Sequence, residues 1–174
     1  MKTNNNQYLS IELTGMENEK LKKITVAYQP VWIYKRSKEE VEQLALNTPL
    51  LSDSASKLSA QPAHYRNHYR SQLAQYFVFK PMESMRSCQI RYLDNPDTKL
   101  AQLLNDNNLS WLGGFTESCF GSVYDLSGRR YRGTGKENQK NLLVPEYTIQ
   151  ESSINNVKQQ VDVIQFDFKS MVLH

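Results

Sequence analysis

Residues 109–131 constrain this chain more than any other stretch. Aromatic residues and glycines alternate there, through Trp111, Gly113, Gly114, Phe115, Phe120, Gly121, Tyr124, Gly128 and Tyr131. Short strands and tight turns have this composition: aromatics suit a pleated, half-buried surface and glycine takes the backbone angles that turns demand. The other strand signals are equally short. Residues 8–14 alternate and are punctuated by Gly15 and Asn18. Residues 24–28 and 31–34 are β-branched and aromatic, with Gln29-Pro30 as the expected turn between them. Residues 76–79 read as a buried strand and 142–144 as another. Residues 161–168 alternate, with a phase slip at Ile164-Gln165 that a bulge would allow.

Helical signals are few. Ser37 followed by Glu40 is a capping-box pattern, and Val41, Leu44 and Ala45 supply an apolar stripe behind it. Residues 99–104 fit a helical turn ahead of the Asn-rich turn at 105–108. Residues 47–75 are polar, contain two prolines and read as a long irregular excursion. The expected fold class is mostly β.

A chain of 174 residues suits one domain and buries about 70% of its unfolded surface, so a core needs no metal or staple. Lys and Arg number 21 against 18 Asp and Glu, a net +3. That balance argues against a dedicated nucleic-acid binder. Two cysteines cannot build a disulfide framework or a four-cysteine zinc site. No apolar run approaches 18 residues, so no membrane span is expected. The first seven residues lack the apolar segment of a secretory signal. The expected location is cytoplasmic, or exported without a recognisable signal, or periplasmic if an N-terminal anchor has been trimmed.

The segment from Gly113-Gly114-Phe115 through Cys119-Phe120-Gly121-Ser122, Tyr124-Asp125 and Gly128-Arg129 closely resembles the second cluster-binding box of Rieske iron–sulfur proteins of the cytochrome bc1 type. Asn141-Leu142-Leu143-Val144-Pro145-Glu146-Tyr147 is similar to a run that follows this box in the family. Upstream, Ile11-Glu12-Leu13, Ile24-Thr25-Val26 and residues 30–40 resemble the first strands of the Rieske head. Gln61-Pro62, Arg66-Asn67 and Tyr69-Arg70-Ser71 resemble the loop before the first box in the proteobacterial branch. The resemblance covers about residues 9 to 150. It implies a Rieske-like antiparallel β sandwich or barrel over 1–150, with a small cluster-box subdomain at about 80–133. Residues 151–174 are expected to add a strand and tail to the same domain.

The ligand positions depart from the family pattern. A Rieske [2Fe–2S] cluster is held by two cysteines and two histidines. At the corresponding places stand Glu83 and Met85 in the first box, and Glu117 and Phe120 in the second. The proline-rich covering loop of the family is replaced by Gly133-Thr134-Gly135-Lys136-Glu137-Asn138. The resemblance therefore implies a site with no cluster, no cofactor and no metal. Glu83 and Glu117 are expected to point to solvent, although they could approach each other and bind a hard cation. Phe120 either fills the vacated space or makes an exposed docking tip, with inward packing favoured.

Cys88 and Cys119 occupy the positions of the family's disulfide between the two cluster loops. The resemblance implies that bridge; a reduced, buried pair or a regulatory thiol pair stays open. His64 and His68 are four apart, which would align them on a helix, but Pro62 and the surrounding Tyr and Arg favour a solvated loop. Arg129, Arg130, Arg132 and Lys136 form a basic run that reads as an exposed loop or a docking patch. The functional expectation is a non-redox binding or accessory module with an unknown protein partner and no nucleic acid. The alternative, by resemblance, is a Rieske-type subunit of a cytochrome bc1 complex, whose partners would be quinol, cytochrome b and cytochrome c1.

Overall fold

The computed structural model describes residues 8–13, 15–16, 20–153 and 160–167. The fold is mostly β, as expected, with three small antiparallel sheets among the described residues and two α-helices. The first sheet joins β1 (Tyr8–Glu12), β9 (Gln160–Asp167) and β8 (Thr148–Ser153), with β9 in the middle. The second runs β2 (Leu21–Val26), β3 (Gln29–Lys35), β4 (Tyr76–Phe79). The third runs β5 (Arg91–Leu93), β6 (Gly114–Thr116), β7 (Val123–Tyr124) and carries the second of the two boxes.

One core ties the sheets together. Val31 and Ile33 of β3, Phe77 and Phe79 of β4, Phe115 of β6 and Ile164 and Phe166 of β9 belong to a single buried cluster. Phe79 lies 4.7 Å from both Phe77 and Phe115, centroid to centroid. Every residue of β4 is buried, the reason its sequence is a continuous apolar run and does not alternate.

Several sequence expectations need correction. The β2–β3 turn is made by Ala27 and Tyr28, both in the left-handed region (φ 47° and 63°), while Gln29 and Pro30 already belong to β3. Val26 pairs with Gln29, so this is a two-residue hairpin loop, which needs positive φ at both central positions. No slip occurs at Ile164-Gln165: the β1–β9 register runs unbroken, and Ile164 and Phe166 share the core face. Residues 142–144 form no strand; their backbone is tied across the fold, Leu143 O accepting from Lys80 N and Val144 N donating to Ala60 O. Ala45 of α1 (Lys38–Leu46) is exposed, leaving Leu44 and Glu40 as its buried side chains.

The capping box does form: Ser37 Oγ accepts from Glu40 N while Glu40 Oε2 accepts from Ser37 N. The second helix, α2 (Thr98–Asp106), is capped by Asp97 and buries Leu100 and Leu104 against Leu50, Leu51 and Tyr131.

Residues 47–75 are irregular apart from two short 3-10 turns, Thr48–Leu50 and Ala63–Tyr65. Buried guanidiniums pin this excursion. Arg70 is fully buried and donates to Gln61 Oε1 and to the carbonyls of Ser127, Gly128 and Leu142. Arg36 donates to the carbonyls of Tyr69, Ala74 and Leu126. Carbonyls that no strand partner satisfies are thus paid in side-chain hydrogen bonds, which a buried loop requires.

Candidate functional site

Three loops meet at one end of the third sheet. The first, residues 83–88, leaves β4 through Lys80 and Pro81 and is closed at its neck by Glu83 N donating to Cys88 O. The second, residues 117–122, joins β6 to β7, and Thr116 Oγ1 donates to Ser122 O across its base at 2.8 Å. The third is residues 133–140.

Glu83 and Glu117 each stand at the head of a loop, and each carboxylate folds back over its own backbone. Glu83 accepts from the amides of Met85 (2.8 Å), Arg86 and Cys88 (3.3 Å). Glu117 accepts from Cys119 (2.6 Å), Phe120 (2.9 Å) and Ser122 (2.9 Å). Neither points to solvent: Glu83 is 3% and Glu117 1% exposed, against expectation. A loop of six residues cannot close its own amides in a ladder, and an anion in its hollow satisfies several at once.

Gln139 of the third loop joins the two. Its Nε2 donates to Glu83 Oε2 at 3.2 Å and to Glu117 Oε1 at 3.4 Å. Its Oε1 accepts from Lys136 N at 2.6 Å and from the Ser122 hydroxyl. Both amide hydrogens and both oxygen lone pairs are used, so one neutral side chain separates two carboxylates and binds both. Gly135 lets the third loop come this close: a Cβ there would sit 1.8 Å from Ser122 Oγ and 2.3 Å from Gln139 Oε1, and its φ is +62°. Burial alone would raise both carboxyls, but the amides and Gln139 overrule it and hold Glu83 and Glu117 below the usual carboxylate range.

Cys88 and Cys119 are joined by a disulfide, Cα to Cα 6.3 Å, linking the first two loops. Cys88, Cys119 and Glu117 bring three ligand-type atoms within 4.8 Å of one another. As a disulfide, the two sulfurs are spent and offer no thiolate to a metal.

Glu83, Met85, Glu117 and Phe120, which the resemblance matches to the family's ligands, do not offer the thiolates and imidazoles of a Rieske cluster. Two carboxylates are committed to backbone amides, Phe120 has no donor atom, and Met85 is 47% exposed at the outer surface. Among the described residues, the buried hydroxyl of Tyr124 nearby finds no hydrogen-bond partner. Burial, with the two carboxylates adding to it, raises that phenol. Phe120 does not pack inward, against expectation. It is half-buried at the tip, with the Arg86 guanidinium 5.5 Å and Lys136 Nζ 4.8 Å from its ring centroid. Gln139 occupies the junction instead.

The basic run is split by the fold. Arg129 and Arg130 are buried, at 0% and 4% exposure, which corrects their reading as surface docking residues. Arg129 pairs with Asp125 at 2.8 Å, and Arg130 donates to the carbonyls of Thr134, Glu137 and Gln139, shaping the third loop. Arg132 and Lys136 are exposed. His64 faces Glu146 at 3.2 Å and is not gathered with His68 into a group of metal-ligand type.

Sequence reading missed Gln139 and Lys80. Neither lies in a spacing that marks a site, and glutamine is common along this chain.

No family model matches the chain. It is similar, at 29% identity over 136 residues, to the ubiquinol-cytochrome c reductase iron-sulfur subunit of Allochromatium vinosum. The match covers 78% of this chain and 62% of that protein, so the chain spans less than two thirds of its relative's length. The resemblance to Rieske iron–sulfur proteins read from the motifs stands on this similarity as well. Among the described residues, no helix is long and apolar enough to cross a membrane.

Proposed function

We propose that this chain is a cluster-free, Rieske-like binding or accessory module rather than an electron carrier. The observation that carries the reading is the Glu83–Gln139–Glu117 junction, in which the groups at and between former ligand positions satisfy one another. A carboxylate that already accepts three amide hydrogens would have to give them up to take iron, and no thiolate or imidazole stands beside it. The working surface is the end formed by Met85, Arg86, Phe120 and Lys136, where exposed apolar atoms sit between cations. A half-exposed aromatic ring with a charged rim suits a protein partner. The disulfide favours an oxidising compartment such as the periplasm.

The test is the metal content of protein purified from its native source. It is expected to be colourless, to hold less than about 0.1 iron per chain, and to gain no cluster on anaerobic reconstitution with iron and sulfide. A stoichiometric [2Fe–2S] EPR signal after reduction overturns the reading.

The similarity to a ubiquinol-cytochrome c reductase subunit favours a second reading, association with a cytochrome bc1-type respiratory complex. Co-migration with that complex on native gels, lost in Phe120→Ala and Lys136→Glu, supports it. A chain that never co-migrates with the complex refutes it.

A further inference from the structure

We propose that the cleft beside loop 83–88 is a binding site for a small phosphate-bearing molecule, held by Lys80 and Lys140. The cleft measures about 460 Å³ and is lined by Lys80, Lys140, Ser84, Ser87, Gln29 and Met82, among others. That volume lies within the range of small-molecule sites.

Lys80 follows β4 and is 8% exposed. Among the described residues its ammonium has no hydrogen-bond or ion-pair partner. Burial lowers its pKa, and no neighbouring charge offsets that effect. Glu83 also borders the cleft, but its carboxylate is taken up by three backbone amides and Gln139. The stem is buried while the nitrogen opens on the cleft, and a cation placed there without a counter-charge attracts an anion. Lys140 is exposed and adds a second positive charge. Its backbone N–H donates to Ser84 Oγ at 3.1 Å, which leaves the Ser84 hydroxyl proton free to donate outward.

The donors are ammoniums and hydroxyls on separate stems. Such donors arrive from several directions and suit a tetrahedral oxyanion, whereas a flat carboxylate is matched best by the planar fork of a guanidinium. The cleft exceeds an inorganic phosphate in size, and Ala60, Met82 and Leu143 give it apolar lining. A phosphomonoester with a small apolar body uses both features. This inference does not rest on the cluster-free reading, because no ligand position other than Glu83 borders the cleft.

The test uses the whole chain with its lysines 13C-dimethylated, followed by NMR, with inorganic phosphate and phenyl phosphate as probes. The Lys80 signal is expected to titrate below the other lysines. It should move saturably with either probe and titrate higher when the probe is bound, with phenyl phosphate the tighter of the two. Lys80→Met should weaken binding about tenfold or more, the loss of one charge-assisted hydrogen bond. Lys140→Ala should weaken it about two- to fivefold, as for an exposed charge. If Lys80→Met does not fold, the wild-type Lys80 signal and Lys140→Ala decide. A Lys80 signal unmoved by both probes, an equal response to acetate at matched ionic strength, or undiminished binding by folded Lys80→Met overturns the proposal. Iron content bears on none of these outcomes.

Discussion

Replacing Glu117 by Gln changes one atom and tests the junction directly. In the native loop Oε2 accepts from Cys119 N and Phe120 N, while Oε1 accepts from Ser122 N and Gln139 Nε2. A glutamine keeps one oxygen and turns an NH2 toward the other pair of donors. Two charge-assisted hydrogen bonds are lost, each worth about 1.5–3 kcal/mol, and two buried amides are left facing a donor. Allowing for relaxation of a six-residue loop, the expected destabilisation is about 3 kcal/mol near neutral pH, a large share of the roughly 5–15 kcal/mol typical of a domain. The assay is urea denaturation with the disulfide intact, and Glu137→Gln at an exposed position serves as control. The pH dependence gives a second reading. The Glu117 carboxyl is held below its unfolded value in the folded chain, so its contribution is complete above the unfolded pKa of about 4.3 and is lost as pH falls through the lower folded value. The gap between wild type and Glu117→Gln should therefore be full near neutrality and close in acid. A variant within about 0.5 kcal/mol of wild type near neutral pH, smaller than a single such bond, refutes the account. So does a gap that persists unchanged in strong acid.

The disulfide closes a loop of 31 residues' separation, so Cys88→Ser should cost about 3.5–4 kcal/mol under oxidising conditions and little in the presence of reductant, read by thermal melting in both buffers. Phe120→Ala should cost less than about 1.5 kcal/mol, because the ring is half-buried and loses mainly its contacts with Arg86 and Lys136; a loss of 3 kcal/mol or more, typical of a core phenylalanine, would contradict its placement. Tyr28→Gly should raise stability by about 0.5–1 kcal/mol in the same urea assay, since Tyr28 is fully exposed and pays for a left-handed backbone that glycine adopts freely; a loss of stability would show that the ring makes contacts the fold needs.

Much of the architecture was legible because its causes are local. Ser37 and Glu40 are three residues apart, and a capping box needs nothing beyond that turn. The continuous apolar run of β4 marks burial on both faces, and the spacing of the box motifs gave the resemblance that a 29% identical relative shares. The cysteine positions carried the bridge by resemblance, and the structure forms it. Local cues failed where strand pairing with distant segments overrode them. A Gln-Pro pair suits a turn better than Ala-Tyr does, yet pairing of Val26 with Gln29 places the turn at Ala27-Tyr28 and aligns β3 with β4. The apparent phase slip in β9 vanished once β1 and β8 fixed which face meets the core.

The chain alone determined which chemical groups stand at the positions that the resemblance matches to the family's ligands: two carboxylates, a thioether and a phenyl ring, a set that no folding converts into thiolates and imidazoles. Only the tertiary structure decided what those groups do. Gln139 lies 56 residues from Glu83 and 22 from Glu117, and no spacing rule links them. Arg129 and Arg130 read as surface charge until Asp125 and a set of loop carbonyls drew them inside. Lys80 had no mark in the sequence, and only the packing of the surrounding loops buries its stem beside a cleft without a counter-charge. The physical reason is common to all three. A polar side chain's cost or benefit is set by its burial and its partners, and here those partners come from distant segments that meet only when the core has formed.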